Sequence, residues 1–155
     1  MIEINERIDV PAAPSAVWSL LSDPRAVVEC VEGAGLGEKQ EDGSYDATLV
    51  VKFGPASVSF KAKVALEYDP ATMSGSVLAR GKDGIGGTRV VSKMKFSVQE
   101  RADPPGSVVP ITAEVEISGK LASLIETGAN LVTKRMVADF TERLAAKIGG
   151  TTPGR

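Results

Sequence analysis

The sequence predicts an α+β fold in which a curved antiparallel sheet of seven strands wraps a long C-terminal helix. Three observations predict it. From Tyr45 to Gly119 apolar and polar residues alternate in successive runs, the period of strands with one buried face. From Lys120 to Ile148 there is no proline and a single glycine, Gly128, and apolar residues recur at helical spacing. The order of segments is strand, two short helices, six strands and a long helix, in which sheet and helix must each cover an apolar face.

The first strand reads from Ile2, Ile4, Ile8 and Val10 and stops at Pro11. Pro14 opens a short helix carrying Val17, Trp18, Leu20 and Leu21, since proline suits a first helical turn. Asp23-Pro24 starts a second, with Asp23 as N-cap, running to about Val31. Gly33, Gly35 and Gly37 loosen the chain before a short strand near Leu36 to Glu41. Asp42-Gly43 is a two-residue hairpin signal leading into a strand over 44–53. Gly54-Pro55 and Asp69-Pro70 bracket a long strand over 56–68, and further strands follow at 73–82, 88–100 and 108–119. The helix stripe runs through Leu121, Leu124, Ile125, Gly128, Leu131 and Val132 and drifts into Met136, Phe140 and Leu144, as in a helix that curves over its partner surface. Residues 1–148 read as one domain and 149–155 as a disordered tail.

Composition excludes several functions. A net charge of −2 lacks the basic excess that nucleic acid requires. The single cysteine, Cys30, forbids an internal disulfide. The N-terminus lacks the basic start and apolar run of a signal peptide, and no apolar stretch approaches the roughly 20 residues that span a bilayer. The expectation is a soluble intracellular protein. With no histidine, Ser-His and Cys-His nucleophile pairs and His-ligated metals are impossible.

Asp46, Glu67, Glu114 and Glu116 fall on the polar side of their strands and read as a solvated face rather than catalytic carboxylates. Arg135 and Asp139, four apart on the helix, read as an ion pair or as groups that orient a ligand head. Cys30 reads as a buried small hydrophobe, since no base accompanies it. The glycines between Gly81 and Gly87 lack a following helix and read as a hairpin loop or a flap over a pocket mouth, not a phosphate loop.

The inward half of the alternation is undersized. Ala47, Ala62, Gly75, Ala79, Gly81, Ser92, Ala113 and Gly119 stand where a packed core would carry Leu, Ile or Phe. Two readings follow: a lined hollow, or close approach of helix and sheet. The outward half carries Lys52, Lys61, Lys63, Arg80, Lys82, Arg89, Lys93 and Lys95, a basic face suited to anionic lipid or an acidic partner, or simply to solubility.

The residues carry a family likeness. Val17-Trp18 with Leu20-Leu21-Ser22-Asp23-Pro24 resembles the START-like, helix-grip (SRPBCC) superfamily. Cys30-Val31-Glu32-Gly33-Ala34, Asp42-Gly43-Ser44-Tyr45, Phe53-Gly54-Pro55, Ile117-Ser118-Gly119-Lys120-Leu121-Ala122, Met136 and Phe140 resemble the CoxG family of carbon monoxide dehydrogenase subunits over about residues 1–148. The resemblance implies a deep apolar cavity between sheet and helix. It implies a non-enzymatic role beside a molybdenum carbon monoxide dehydrogenase, peripheral at the inner face of the cytoplasmic membrane. The passenger would be a quinone of the menaquinone type, carried between membrane and enzyme, with no cofactor or metal of its own. Recruitment or assembly of the dehydrogenase, and a cyclase or dehydratase activity, are the alternatives. Glu32 stands where the family usually has proline, at a turn beside one cavity entrance. Some members carry a long C-terminal extension; this chain ends at Arg155, which implies weak anchoring or a trimmed chain.

On this reading the sheet lines the cavity with Leu49, Val51, Phe53, Phe60, Ala62, Val77, Met94, Phe96, Ile111, Ala113 and Val115. The helix closes it with Leu124, Ile125, Gly128, Leu131 and Val132, and Trp18 sits near one end. Lys61, Lys63, Lys93 and Lys95 are the expected docking residues for membrane or partner.

Overall fold

The alternating runs become the strands that their period requires. A computed structural model describes residues 1–53, 55–84 and 87–149. In chain order these form β1 (Ile2–Val10), α1 (Pro14–Leu21), α2 (Pro24–Glu29), β2 (Ala34–Lys39), β3 (Tyr45–Phe53), β4 (Ala56–Asp69), β5 (Ser74–Asp83), β6 (Thr88–Ser97), β7 (Gln99–Arg101), β8 (Gly106–Gly119) and α3 (Ala122–Gly149). The strands pair antiparallel in the order β1-β8-β6-β5-β4-β3-β2.

The strand expected over 88–100 is interrupted, so the strand count is eight rather than seven. At the break the Val98 N–H donates to the Met73 carbonyl, 2.8 Å away and one rung beyond the Ser74–Ser97 pair, and β7 resumes pairing with β8 beyond it in the same register. The expected disordered tail falls on residues outside those described, apart from Gly149, which closes α3. The predicted loop flap and the Gly54-Pro55 turn likewise include residues, Ile85, Gly86 and Gly54, outside the described ones.

Local chemistry fixes the helices. The Asp23 carboxylate accepts from the Arg25 and Ala26 amides at 3.2 and 3.5 Å, capping α2 as its Asp-Pro start requires. The start of α3 is tied to the sheet, because the Leu121 N–H donates to the fully buried Thr88 hydroxyl at 2.9 Å. From there α3 crosses the concave face, packing on β1, β8 and α1 and on β3 from the other side of the curl.

The interior holds two packed clusters. One joins Ile8, Val10, Val17, Leu21, Val98, Val109 and Leu144, with Trp18, Phe96 and Phe140 against it. The other joins Val51, Phe53, Val58, Ile125 and Val132, with Leu49, Phe60, Ile117 and Leu121 against it. The first lies under the C-terminal half of α3 and the second under its N-terminal half.

Candidate functional site

Residues of both clusters bound a cavity of about 780 Å³. Its sheet wall comprises Ile4, Glu6 and Ile8 from β1, Ala47 and Val51 from β3, Val64, Leu66 and Tyr68 from β4, Val77, Met94 and Phe96 from β5 and β6, and Val109 and Ile111 from β8. The helix wall is Thr133, Met136, Val137, Asp139, Phe140 and Leu144 of α3. Leu21 and the segment around α2, Pro24, Val27, Val28 and Val31, close the end.

Five wall residues are exposed: Glu32, Gly33, Val50, Lys52 and Arg135. They meet at one place, the mouth. The Val50 N–H donates to the Gly33 carbonyl at 2.9 Å, and the Arg135 guanidinium donates to the Lys52 carbonyl at 2.8 Å. Gly33 is required there: its φ is +82°, and a Cβ would lie 2.4 Å from the Val50 oxygen. Glu32, at the turn that the family resemblance places beside an entrance, is on this rim.

Arg135 and Asp139 do not pair with each other. Arg135 turns to the carbonyl that the free edge of β3 leaves open, and Asp139 pairs with Arg143 Nε at 2.9 Å. The rim therefore sets two cations, Lys52 and Arg135, and the Glu32 carboxylate around a mostly apolar chamber.

Inside, two polar side chains share one rung of the sheet. Glu6 pairs with Ile111, Ile111 with Phe96, Phe96 with Gly75, and Gly75 with Tyr68. Directly opposed residues point to the same face, so Glu6 and Tyr68 both turn inward from strands at opposite sides of the curl. Gly75 makes room for this rung, since a Cβ there would lie 2.7 Å from the Phe96 ring. Burial pushes the Tyr68 hydroxyl above its ordinary value of 10.0, with smaller contributions from Tyr45 and Asp23. The Trp18 ring stands edge-on to Tyr68 at 6.0 Å and tilted to Phe96 at 6.2 Å, behind the wall rather than in it.

Of the residues expected to line the cavity, Val51, Val77, Met94, Phe96 and Ile111 do so. Leu49, Phe53, Phe60, Ile125 and Val132 belong instead to the packed cluster beneath the first half of α3. The cause is close approach: Gly128 sits on Phe53, where an added Cβ would be 3.1 Å from the ring. Ala62 lies against Gly81, whose added Cβ would be 3.1 Å from the Ala62 Cβ. Ala113 is buried between Ile4 and Met94 in the ladder, and Val115 lies one rung further along, between Ile2 and Ser92; neither reaches the cavity. Leu124 and Leu131 face outward, 37% and 75% exposed. The helix contributes its middle, not its beginning.

The residues missed are informative. Val27, Val28 and Val31 carry no periodicity that places α2 over an opening. Glu6 does have a signal: it falls on the same parity as Ile2, Ile4, Ile8 and Val10.

The predicted docking lysines are all exposed on the outer face, away from the cavity. Lys61 faces Lys82 and Lys82 faces Arg89 across neighbouring strands, while Lys63 stands between Arg80 and Asp46. Lys93 likewise faces an acid, Glu114, and Lys95 faces Ser76 and Thr112. Cys30 is buried beside α2, and burial pushes its thiol up despite Lys147 nearby. Among the described residues no carboxylate, cysteine and histidine cluster could hold a metal, and no helix is long and apolar enough to cross a membrane.

The fold is shared with known structures. A conserved protein from Geobacillus kaustophilus superposes with a TM-score of 0.82 at 20% identity, covering 97% of each chain. A protein from Thermus thermophilus gives a TM-score of 0.71 at 14% identity over 97% of this chain and 99% of that one. The Zhui aromatase/cyclase from a Streptomyces species gives 0.63 at 12% identity over 96% and 93%. No curated protein matches the sequence. The pattern of the CoxG family, described as a subunit of carbon monoxide dehydrogenase, matches residues 7–149. With nearly the whole folded chain matched and the helix-grip architecture in place, the chain belongs to the CoxG family.

Proposed function

We propose that this protein is a carrier for a long apolar molecule, an isoprenoid quinone of the menaquinone type. It would move that molecule between a molybdenum carbon monoxide dehydrogenase and the respiratory chain, working at the inner face of the membrane. The observation that carries the reading is the cavity of about 780 Å³, walled mostly by aliphatic and aromatic side chains and open at one polar-rimmed mouth. Small-molecule sites occupy roughly 300–1,000 Å³ and are lined in this way. Burying some 300 Å² of apolar ligand surface would contribute about 7 kcal/mol before association costs, enough for reversible loading. Family membership supports the dehydrogenase as the partner.

The test is to incubate purified protein with bacterial membranes, extract it with organic solvent and identify what it retains by mass spectrometry. A bound quinone in near-stoichiometric amount is expected. Protein that repeatedly yields no lipid or quinone sinks the carrier reading.

A second reading has an observation of its own. The like-charged rung Lys61–Lys82–Arg89 costs stability in the folded sheet, as directly opposed like charges do. A docking face for an anionic membrane or acidic partner would account for it, and the protein would then recruit the dehydrogenase as well. A cyclase-like activity needs inward acid–base groups. Glu6 and Tyr68 supply two, so that reading is tested by turnover assays rather than dismissed on the alternation.

A further inference from the structure

Glu6 is an anomaly that the carrier reading does not absorb. Every other strand glutamate, Glu3, Glu38, Glu67, Glu100, Glu114 and Glu116, is exposed on its strand. Glu6 alone is partly buried and stands on the cavity wall between Ile4 and Ile8. Among the described residues no hydrogen bond or ion pair reaches its carboxylate. A carboxylate on this stretch of wall breaks the pattern of β1, which an aliphatic residue in its place would continue.

We propose that Glu6 is the polar anchor of the cavity and selects a ligand whose head presents a hydroxyl donor. An ionised carboxylate accepts hydrogen bonds and cannot donate them. A dione presents only carbonyl oxygens, whose lone pairs would face those of Glu6. A dihydroxy ring presents O–H groups that bond it. Tyr68, at the other end of the rung, keeps its proton over a wide pH range and serves as a neutral hydroxyl. The inference rests on the carrier reading and deepens it: the passenger is held more tightly as the quinol than as the quinone. A carrier with that bias leaves its reductase loaded with the reduced form.

The experiment is anaerobic calorimetric titration of the full chain with menadione and with menadiol, which share one ring system and differ in the two hydroxyls. In the wild type menadiol should bind roughly tenfold to a hundredfold tighter, the size of one hydrogen bond to a charged acceptor. Glu6→Gln should shrink the ratio severalfold, because the amide also donates to a carbonyl. Glu6→Leu, which restores the apolar pattern of β1, should bring it close to one. Equal binding of both probes by the wild type, or a ratio that survives Glu6→Leu, overturns the role of Glu6 and leaves the carrier reading standing. Failure of the folded wild type to bind either probe overturns both.

Discussion

The Arg135 guanidinium donates to the Lys52 carbonyl at 2.8 Å, joining the middle of α3 to the open edge of β3 across the cavity mouth. A second hydrogen bond on the same rim joins the Val50 N–H to the Gly33 carbonyl. The fold is stable through its clusters, while the opening is held by polar contacts at the surface, where hydrogen bonds are weakest and exchange fastest.

Arg135→Ala should therefore change traffic more than stability. The expected loss is at most about 1 kcal/mol, as for other exposed polar contacts. Ligand release measured by stopped-flow displacement should accelerate, and amide exchange at Val51–Phe53 should rise. An unchanged release rate would mean that the mouth is not the exit.

Gly33→Ala tests the other half of the rim. At φ +82° and 2.4 Å from the Val50 oxygen, a methyl group cannot be accommodated without moving the backbone. A loss of about 1–3 kcal/mol, read from the urea midpoint, is the usual size of such strain. Gly43 has a φ of +88° with nothing near its missing Cβ, so Gly43→Ala should cost less than Gly33→Ala.

Filling substitutions separate cavity from core. Val64→Phe projects into the open chamber and should abolish binding of apolar ligands with little change in melting temperature. Ala113→Phe enlarges a buried residue that is not on the wall and should destabilise by about 1–3 kcal/mol. If the two variants behave alike in thermal melts and in ligand titration, the chamber is not an open site.

Thr88→Val removes the hydroxyl that accepts from the Leu121 amide while keeping the side-chain shape. It leaves that N–H at the entry to α3 without its partner, and a loss of about 1–2 kcal/mol is expected from chemical denaturation.

The Tyr68 shift makes a pH prediction. Burial raises its value in the folded state above 10.0, so the folded protein binds the phenolic proton more tightly than the unfolded chain does. The resulting stability is fully present below pH 10 and is lost as the pH rises from there through the higher folded value. Urea midpoints measured against pH should fall more steeply above 10 in the wild type than in Tyr68→Phe. Identical slopes would mean that Tyr68 ionises as freely in the folded protein as in the unfolded one.

Much of this was legible in the chain. Alternation assigned the inward and outward face of the main strands, because side chains in a strand point to opposite sides with period two. Asp23-Pro24 announced the start of α2, since a carboxylate can cap the free amides that proline leaves exposed. The same parity could have exposed Glu6, whose charge set it apart from its apolar neighbours. Alternation does not encode the separation between an inward side chain and the helix above it. Phe60 and Ala62 share their parity with Leu66 and Tyr68 on β4, yet only the latter two border the cavity.

The sequence by itself determined the order of elements, the two faces of the sheet, the long final helix and the family, because each depends on local periodicity and motif order. Only the tertiary structure decided where the hollow lies. Gly128 lets the start of α3 settle onto Phe53, and the remaining helix spans the curl over Glu6, Phe96 and Tyr68. The space left between two packed surfaces is a property of their distance, and no residue carries that distance in its own chemistry.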